Sequence, residues 1–283
     1  MVELDTTQIA GLPPGGDEFL EELRLRIDPK HVRSILFFGS TVTGDISKSS
    51  DIDFIIILSN CTSDSYRSKM EQLVTTLANE YLETETAPTN KFEELIQQST
   101  GMFRSGFISK EKNVINGDFH RIFNASPLAY YFAPWRTVMA GVFQETVPVY
   151  RDSVSPKWDE IGDPLSHSIE EICRSFVMAL SLSILQIIYS VSIKTDGIYA
   201  QESYKWTIYN IAYHVRGRPH QSLDEALSTV PDLFGSHDWF KRVRSDPQTN
   251  PHYQILVPLI ITLLHLWGLC NLVRVEQSAT DVA

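Results

Sequence analysis

The sequence predicts an α+β fold, in which a mixed sheet with flanking helices is followed by an all-α helical bundle. Three observations lead there. Short apolar runs rich in Ile and Phe alternate with segments of helical periodicity through the first half. Beyond about residue 155 only helix-length apolar segments remain. Between them, Arg151-Asp-Ser-Val-Ser-Pro is polar and ends in Pro156. The expected domains are therefore residues 1–155 and 156–283.

The first helix should begin near Asp17, because EFLEELRLRI sets Phe19, Leu20, Leu23 and Ile27 at helical spacing before Pro29. SILFFGS is an apolar run of strand length that stops at Gly39-Ser40. A small polar segment, TVTGDISKSS, forms a turn or short helix and leads into DIDFIIIL, too β-branched and too short for a helix. Next, SYRSKMEQLVTTLANEY aligns Tyr66, Met70, Leu73, Leu77 and Tyr81 on one helical face. A further helix is expected at 91–98 after Pro88, and Gly101 to Ser109 alternates as a third strand. DFHRIFNAS and the run LAYYFAPWRTVMAGVFQETVPVY, broken at Pro134, close the first half.

In the second half, segments at about 168–193, 199–216, 221–230 and 252–273 predict a four-helix array. Its turns are marked by Asp196-Gly197, Gly217-Arg218-Pro219 and Pro247 to Pro251. Two of its segments, 176–193 and 249–273, contain no Asp, Glu, Lys or Arg, and the second is long enough to cross a bilayer at about 20 residues per span. It nevertheless carries Pro251, His252, Gln254, Pro258, His265 and Asn271, and neither stretch has basic flanks on one side only. Buried bundle helices are expected, with no membrane partner.

The net charge of −11 and the absence of a Lys/Arg cluster disfavour a long nucleic acid, whose binding relies on counterion release by clustered cations. Cys61, Cys173 and Cys270 are odd in number and form no C-x-x-C pair, which suits a reducing cytoplasm and argues against a zinc site. The N-terminal MVELDTTQIAGLPPGGDEF lacks the basic and apolar regions of a secretory signal and reads as a short flexible leader. His214, His220, His237, His252 and His265 show no metal-ligand spacing. Trp206, Trp239 and Trp267 are read first as core or interface residues.

The chemistry concentrates in FFGSTVTGDISKSSDIDFIIIL. Side chains alternate along a strand, so Asp51 and Asp53 project to one face and can share a divalent cation, while Ile52 points into the core. A cation also removes the repulsion between two adjacent carboxylates. Gly39 and Ser40 lie where a strand ends, and a glycine there lets backbone approach a phosphate closely. A helix beginning at Ser40 would present free N–H groups to an anion. Taken singly, Gly-Ser after a strand is usually a turn and Asp-x-Asp usually a solvated strand start. The two together, separated by a ten-residue spacer between apolar strands, point to a site.

This segment resembles the signature of the DNA polymerase β-like nucleotidyltransferases: an apolar strand, Gly-Ser, a short spacer with a second glycine (here Gly44), and Asp-x-Asp at the head of the next strand. The resemblance implies a nucleotidyltransferase-type sheet and transfer of an NMP, AMP from ATP by preference, with release of pyrophosphate. It implies Mg²⁺ held by Asp51 and Asp53, and the β- or γ-phosphate of the NTP at Ser40. The acceptor would be a hydroxyl on a small molecule or a protein. The helical half is similar in plan to aminoglycoside nucleotidyltransferases, in which a bundle faces the nucleotide domain. On that plan Lys205, near the start of a helix with Glu202, Tyr209 and Tyr213 at helical spacing, would bind the triphosphate as a point charge. Without the resemblance Lys205 reads as a solvent-facing lysine.

Active members of the superfamily usually add a third carboxylate from a later strand. Gly101 to Ser109 contains none; Glu111 follows it, and Glu83 and Glu85 precede Pro88. All three read first as solvated surface residues. The general base is thus unassigned. Either the third strand lies elsewhere, or two carboxylates suffice, or the chain is a degenerate, antitoxin-like module that binds a nucleotide or a partner protein.

Overall fold

A computed structural model describes residues 4–7, 9–43, 52–82, 106–144, 146–192, 197–220, 222–245 and 251–280. Its contacts divide the chain into two compact units, Met1–Tyr131 with Met139–Gly162, and Phe132–Val138 with Asp163–Ala283. The sequence reading placed a single boundary near residue 155, with no signal that 132–138 would join the second unit.

The first unit opens with α1 (Gly16–Arg26), β1 (Val32–Phe37), the one-turn α2 (Ser40–Thr43), β2 (Phe54–Leu58) and α3 (Asp64–Tyr81). There follow β3 (Gly106–Lys110), the short helices α4 (Glu111–Ile115), α5 (Phe119–Ile122) and α6 (Pro127–Phe132), then α7 (Trp135–Gln144), β4 (Val147–Tyr150) and α8 (Trp158–Ile161). The strands form one mixed sheet in the order β3-β2-β1-β4. β1 is antiparallel to β2 with Phe37 opposite Phe54, and β2 is parallel to β3 with Phe54 opposite Gly106.

Alternation along β2 divides its side chains between two faces. Ile52, Phe54, Ile56 and Leu58 join Phe19 and Leu23 of α1 and Met70, Val74 and Leu77 of α3 in one buried cluster. Phe54 lies 5.6 Å from Phe19 and 5.8 Å from Phe37, ring to ring. Tyr66, Leu73 and Tyr81, expected on the core face of α3, pack at its edge and are only partly buried. The Ser63 side chain caps α3 by accepting from the Tyr66 N–H at 3.2 Å, satisfying one of the helix's orphan donors.

Two readings need correction, and a third falls outside the described residues. The leader is held against the domain: the Asp5 N–H donates to the Val149 carbonyl at 2.8 Å, the Ala10 N–H donates to the Thr41 carbonyl at 3.1 Å, and Leu4, Ile9 and Leu12 pack on the core cluster. Its alternation of polar and apolar residues was too sparse to reveal this. The strand β4 was missed because VPVY is short and contains Pro148, which only an edge strand tolerates. The expected helix at 91–98 and the first residues of the expected third strand lie outside the described residues.

The second unit is helical, with α9 (Ser168–Ser192), α10 (Ile198–Arg216), α11 (Leu223–Thr229), α12 (Ser236–Ser245) and α13 (Val257–Thr280). The amphipathic α12 is additional to the four helices read from the sequence. Its Trp239, Phe240 and Val243 join Tyr204, Ile208 and Ile211 of α10 and Ile260, Ile261 and Leu264 of α13 in the bundle core. Glu171 of α9, fully buried, explains why 132–138 belong here: its carboxylate accepts from the Thr137 N–H at 3.1 Å and from Arg136 at 3.3 Å. The two apolar stretches expected to be buried are buried on one side only. By length and composition Trp158–Ile188 and Gln254–Leu272 could each cross a membrane, and 39% and 33% of their apolar windows are buried.

Candidate active site

β1 and β2 run antiparallel, so the end of the first and the head of the second meet at one edge of the sheet. There the Phe38 N–H donates to the Asp53 carbonyl at 3.1 Å, extending the ladder one step beyond the strands. The next residue, Gly39, turns the chain with φ +64°, a left-handed conformation that glycine adopts without steric cost. The turn continues into α2 at Ser40, and the Val42 N–H closes back on the Gly39 carbonyl at 3.1 Å.

Close approach is the second demand on Gly39. A β-carbon built there would stand 2.5 Å from Oδ2 and 3.2 Å from Cγ of Asp53. The Asp53 carboxylate therefore lies directly against the backbone of the Gly-Ser turn. The sequence reading assigned the close approach to a phosphate; among the described residues the group found there is the carboxylate itself.

Ile52 is fully buried, as strand alternation required, and Asp53 is half-buried on the opposite face. Asp51 lies outside the described residues, as does the spacer holding Gly44, and the side chain of Ser40 is likewise not described. Thr41, which the sequence reading did not single out, follows Ser40 and is buried with its Oγ1 lacking a hydrogen-bond partner among the described residues. Among the described residues no group of three or more His, Cys, Asp or Glu side chains is placed to hold a metal ion.

Glu111 lies at the wrong end of the sheet for a third carboxylate. β2 and β3 are parallel, so Lys110 stands beside Leu58 while Gly106 stands beside Phe54. At about 3.3 Å per residue, the end of β3 is about 16 Å from the level of Asp53. There the Glu111 carboxylate accepts from Arg33 Nε at 3.2 Å and from Asn60 Nδ2 at 3.3 Å. Glu83 and Glu85 lie outside the described residues.

Lys205 belongs to the second unit, on α10. Its Nζ donates to the Glu202 carboxylate, 2.7 Å from Oε1 and 2.6 Å from Oε2, and stands 5.8 Å from the Trp206 ring centroid. Of the histidines, His265 is a hydrogen-bonded core residue, with Nδ1 2.8 Å from the Ile261 carbonyl and Nε2 3.2 Å from Ser175 Oγ. His214 bridges Ser168 Oγ at 2.9 Å and Thr137 Oγ1 at 3.0 Å. Burial depresses both imidazoles to a pKa of about 4. Burial also pushes the Glu171 carboxyl up, against the opposing pull of the Thr137 N–H and Arg136.

Residues 24–118, which span β1 to β3 and the Gly39–Asp53 edge, match the family model for the polymerase beta nucleotidyltransferase domain. No curated protein matches the chain in sequence. In fold, the chain is similar to the crystal structure of spectinomycin adenyltransferase AAD(9) from Enterococcus faecialis with ATP and spectinomycin. The TM-score is 0.53 at 14% identity, over 89% of this chain and 98% of that chain. With the signature residues inside the matched stretch and the sheet laid out as they require, residues 24–118 form a nucleotidyltransferase domain of the polymerase β-like type.

Proposed function

We propose that the chain transfers AMP from ATP to a hydroxyl of a small molecule, with release of pyrophosphate and with a divalent cation at the site. The observation that carries this reading is the Asp53 carboxylate set against the Gly39 turn, inside the stretch that matches the family. The neighbour's complex with ATP and spectinomycin supports ATP as donor and a small molecule as acceptor. A net charge of −11 suits a cationic acceptor better than a polynucleotide, and three free cysteines suit a cytoplasmic setting.

The donor chemistry fits Mg²⁺: Asp53 offers a hard carboxylate oxygen at a partly open strand head, and Asp51 is two positions away in sequence. A bound Mg²⁺ would neutralise phosphate charge and polarise the α-phosphorus. The chain's own residues do the remainder. Gly39 keeps the turn free of a side chain so that phosphate and carboxylate can approach the same backbone. Ser40 is assigned to the β- or γ-phosphate, and Lys205 to the triphosphate as a whole.

The test is transfer of label from α-³²P-ATP to candidate small hydroxylated amines in the presence of Mg²⁺, alongside calorimetric titration with ATP and Mg²⁺. Wild type should bind and transfer, and Asp53→Asn should lose both the metal dependence and the transfer. Equal, metal-independent binding by the two proteins would remove the site. Binding without transfer to any acceptor would favour the degenerate, partner-binding module.

A further inference from the structure

α9 and α13 lie side by side and antiparallel. Ser175 meets His265 at 3.2 Å, and three residues back on α9 and three forward on α13 a β-carbon at Gly268 would meet Ile172 Cδ1 at 3.8 Å. Their inward faces are accounted for: Ala179 of α9 and Val257, Ile261 and Leu264 of α13 are in the bundle core. Their outward faces are apolar and uncovered. On α9, Val177, Ile184 and Ile188 are 40%, 46% and 59% exposed; along the turn before α13 and on it, Ile255, Leu259 and Leu266 are 63%, 50% and 54% exposed.

The spacings of 7 and 4 residues on α9, and of 7 between Leu259 and Leu266 on α13, keep each set on one side of its helix, and Ile255 lies in the 3-10 turn that leads into α13. Both sides point away from the core. With Leu256, also exposed, seven side chains about half uncovered present on the order of 600 Å² of apolar surface. That stands at the top of the roughly 300–600 Å² of the largest such patch on an ordinary monomer and is about three quarters of the roughly 800 Å² each partner contributes to a standard interface.

We propose that this α9–α13 face is a homodimer interface, on which a second copy of the chain docks the same two helices about a two-fold axis. Area and charge both point to a second copy. Two copies each carrying −11 repel over most of their surface, whereas from 176 to 193 and from 249 to 273 the sequence holds no charged residue. An isologous contact about a two-fold axis uses the same patch on both copies, so one uncovered face suffices. A bilayer is the poorer occupant. The inward faces of the same helices carry Glu171, Ser183, Gln186 and His265, all buried in polar or bundle contacts, and no basic cluster borders the face to engage anionic headgroups.

Light scattering coupled to size exclusion should give the mass of two chains for the full-length protein from micromolar loading upward. Ile184→Glu with Leu259→Glu should give one chain, with helical content and calorimetric ATP binding unchanged, since both side chains face outward. A wild type that stays a single chain at every concentration overturns the proposal. So does a dimer that both substitutions leave intact, or a monomer that floats with phosphatidylcholine vesicles. Because the readout is mass, failure here leaves the proposed transfer reaction untouched.

Discussion

Oδ2 of Asp53 occupies the position where a side chain at Gly39 would begin, 2.5 Å from an ideal β-carbon. Two physical demands meet at Gly39, a positive φ and a close approach, and only glycine meets both. Gly39→Ala is therefore expected to cost about 1–2 kcal/mol in backbone strain alone. It also displaces the Asp53 carboxylate, so transfer should fall by more than the loss of stability explains. Urea unfolding and turnover measured on the same preparation separate the two effects. An alanine variant as active as wild type would mean that the carboxylate's position does not matter.

Removing the charge of Asp53 while keeping its shape isolates its chemistry. Asp53→Asn should keep the fold, because the amide keeps the shape of the side chain and the Asp53 carbonyl still accepts from the Phe38 N–H. Turnover should drop at least about a hundredfold, as when a preorganised electrostatic group is lost. Chelation of divalent cations by EDTA should abolish transfer in wild type, with recovery on adding Mg²⁺. Full activity in EDTA would contradict the assigned donor role.

Much of this edge was legible in the sequence, because a strand's period of two and a glycine at a strand end each have a narrow physical meaning. Ile52 fell in the core and Asp53 on the opposite face as that period required. What could not be read was the pairing. Nothing in SILFFGS or DIDFIIIL states that the strands are antiparallel, and only that pairing brings Gly39 to Asp53. Likewise, β4 went unseen because four residues with a proline carry too little pattern. The membership of 132–138 in the helical unit goes with contacts to residues far away in sequence, Thr137 and Arg136 with Glu171 and Thr137 with His214, which no local pattern announces. The side chain of Asp51 lies outside the described residues, so its placement rests on alternation alone.

Stability should fall as the solution is acidified below neutrality, and two buried imidazoles give the reason. His214 and His265 sit at about 4 in the folded chain against an ordinary 6.5. Between those values the unfolded chain binds protons that the folded chain refuses, so the loss begins as pH drops through 6.5 and is complete near 4. Each histidine contributes on the order of 3 kcal/mol over that window at about 1.4 kcal/mol per pH unit. Glu171 acts with the opposite sign: its raised pKa makes the folded chain take up a proton first, which offsets part of the loss as the carboxyl titrates. Urea midpoints at several pH values between 7 and 4 would measure the net slope. His265→Gln should flatten it, and an unchanged slope would show that His265 is charged in the fold.

Lys205 offers a cleaner kinetic separation. Its ammonium pairs with Glu202 at 2.6 Å, which limits its freedom. If it serves the triphosphate, Lys205→Ala should raise KM for ATP about tenfold, on the order of 1.4 kcal/mol, with a smaller change for the acceptor. Because the Lys205–Glu202 pair is partly exposed, its loss should shift stability by less than about 1 kcal/mol. A stability change without a KM change would reduce Lys205 to a surface ion pair.

The identity of the general base can be narrowed by a substitution expected to do nothing. Glu111 follows the third strand, where the sequence pattern of the family looks for a carboxylate, yet the parallel register sets it beside the C-terminal end of β2. Its partners there are Arg33 and Asn60, both structural contacts of a partly exposed pair. Glu111→Gln keeps the volume and an acceptor oxygen, so turnover should stay within about twofold and stability within about 1 kcal/mol. A hundredfold fall in turnover with an unchanged melting temperature would place Glu111 in the chemistry and require β3 to pair in a different register. The expected neutrality leaves Glu83 and Glu85 as the remaining sequence candidates. Alanine substitution of Glu83 and of Glu85 tests them in turn: ATP binding kept with transfer lost marks a base, whereas full transfer in both leaves a site that works with two carboxylates.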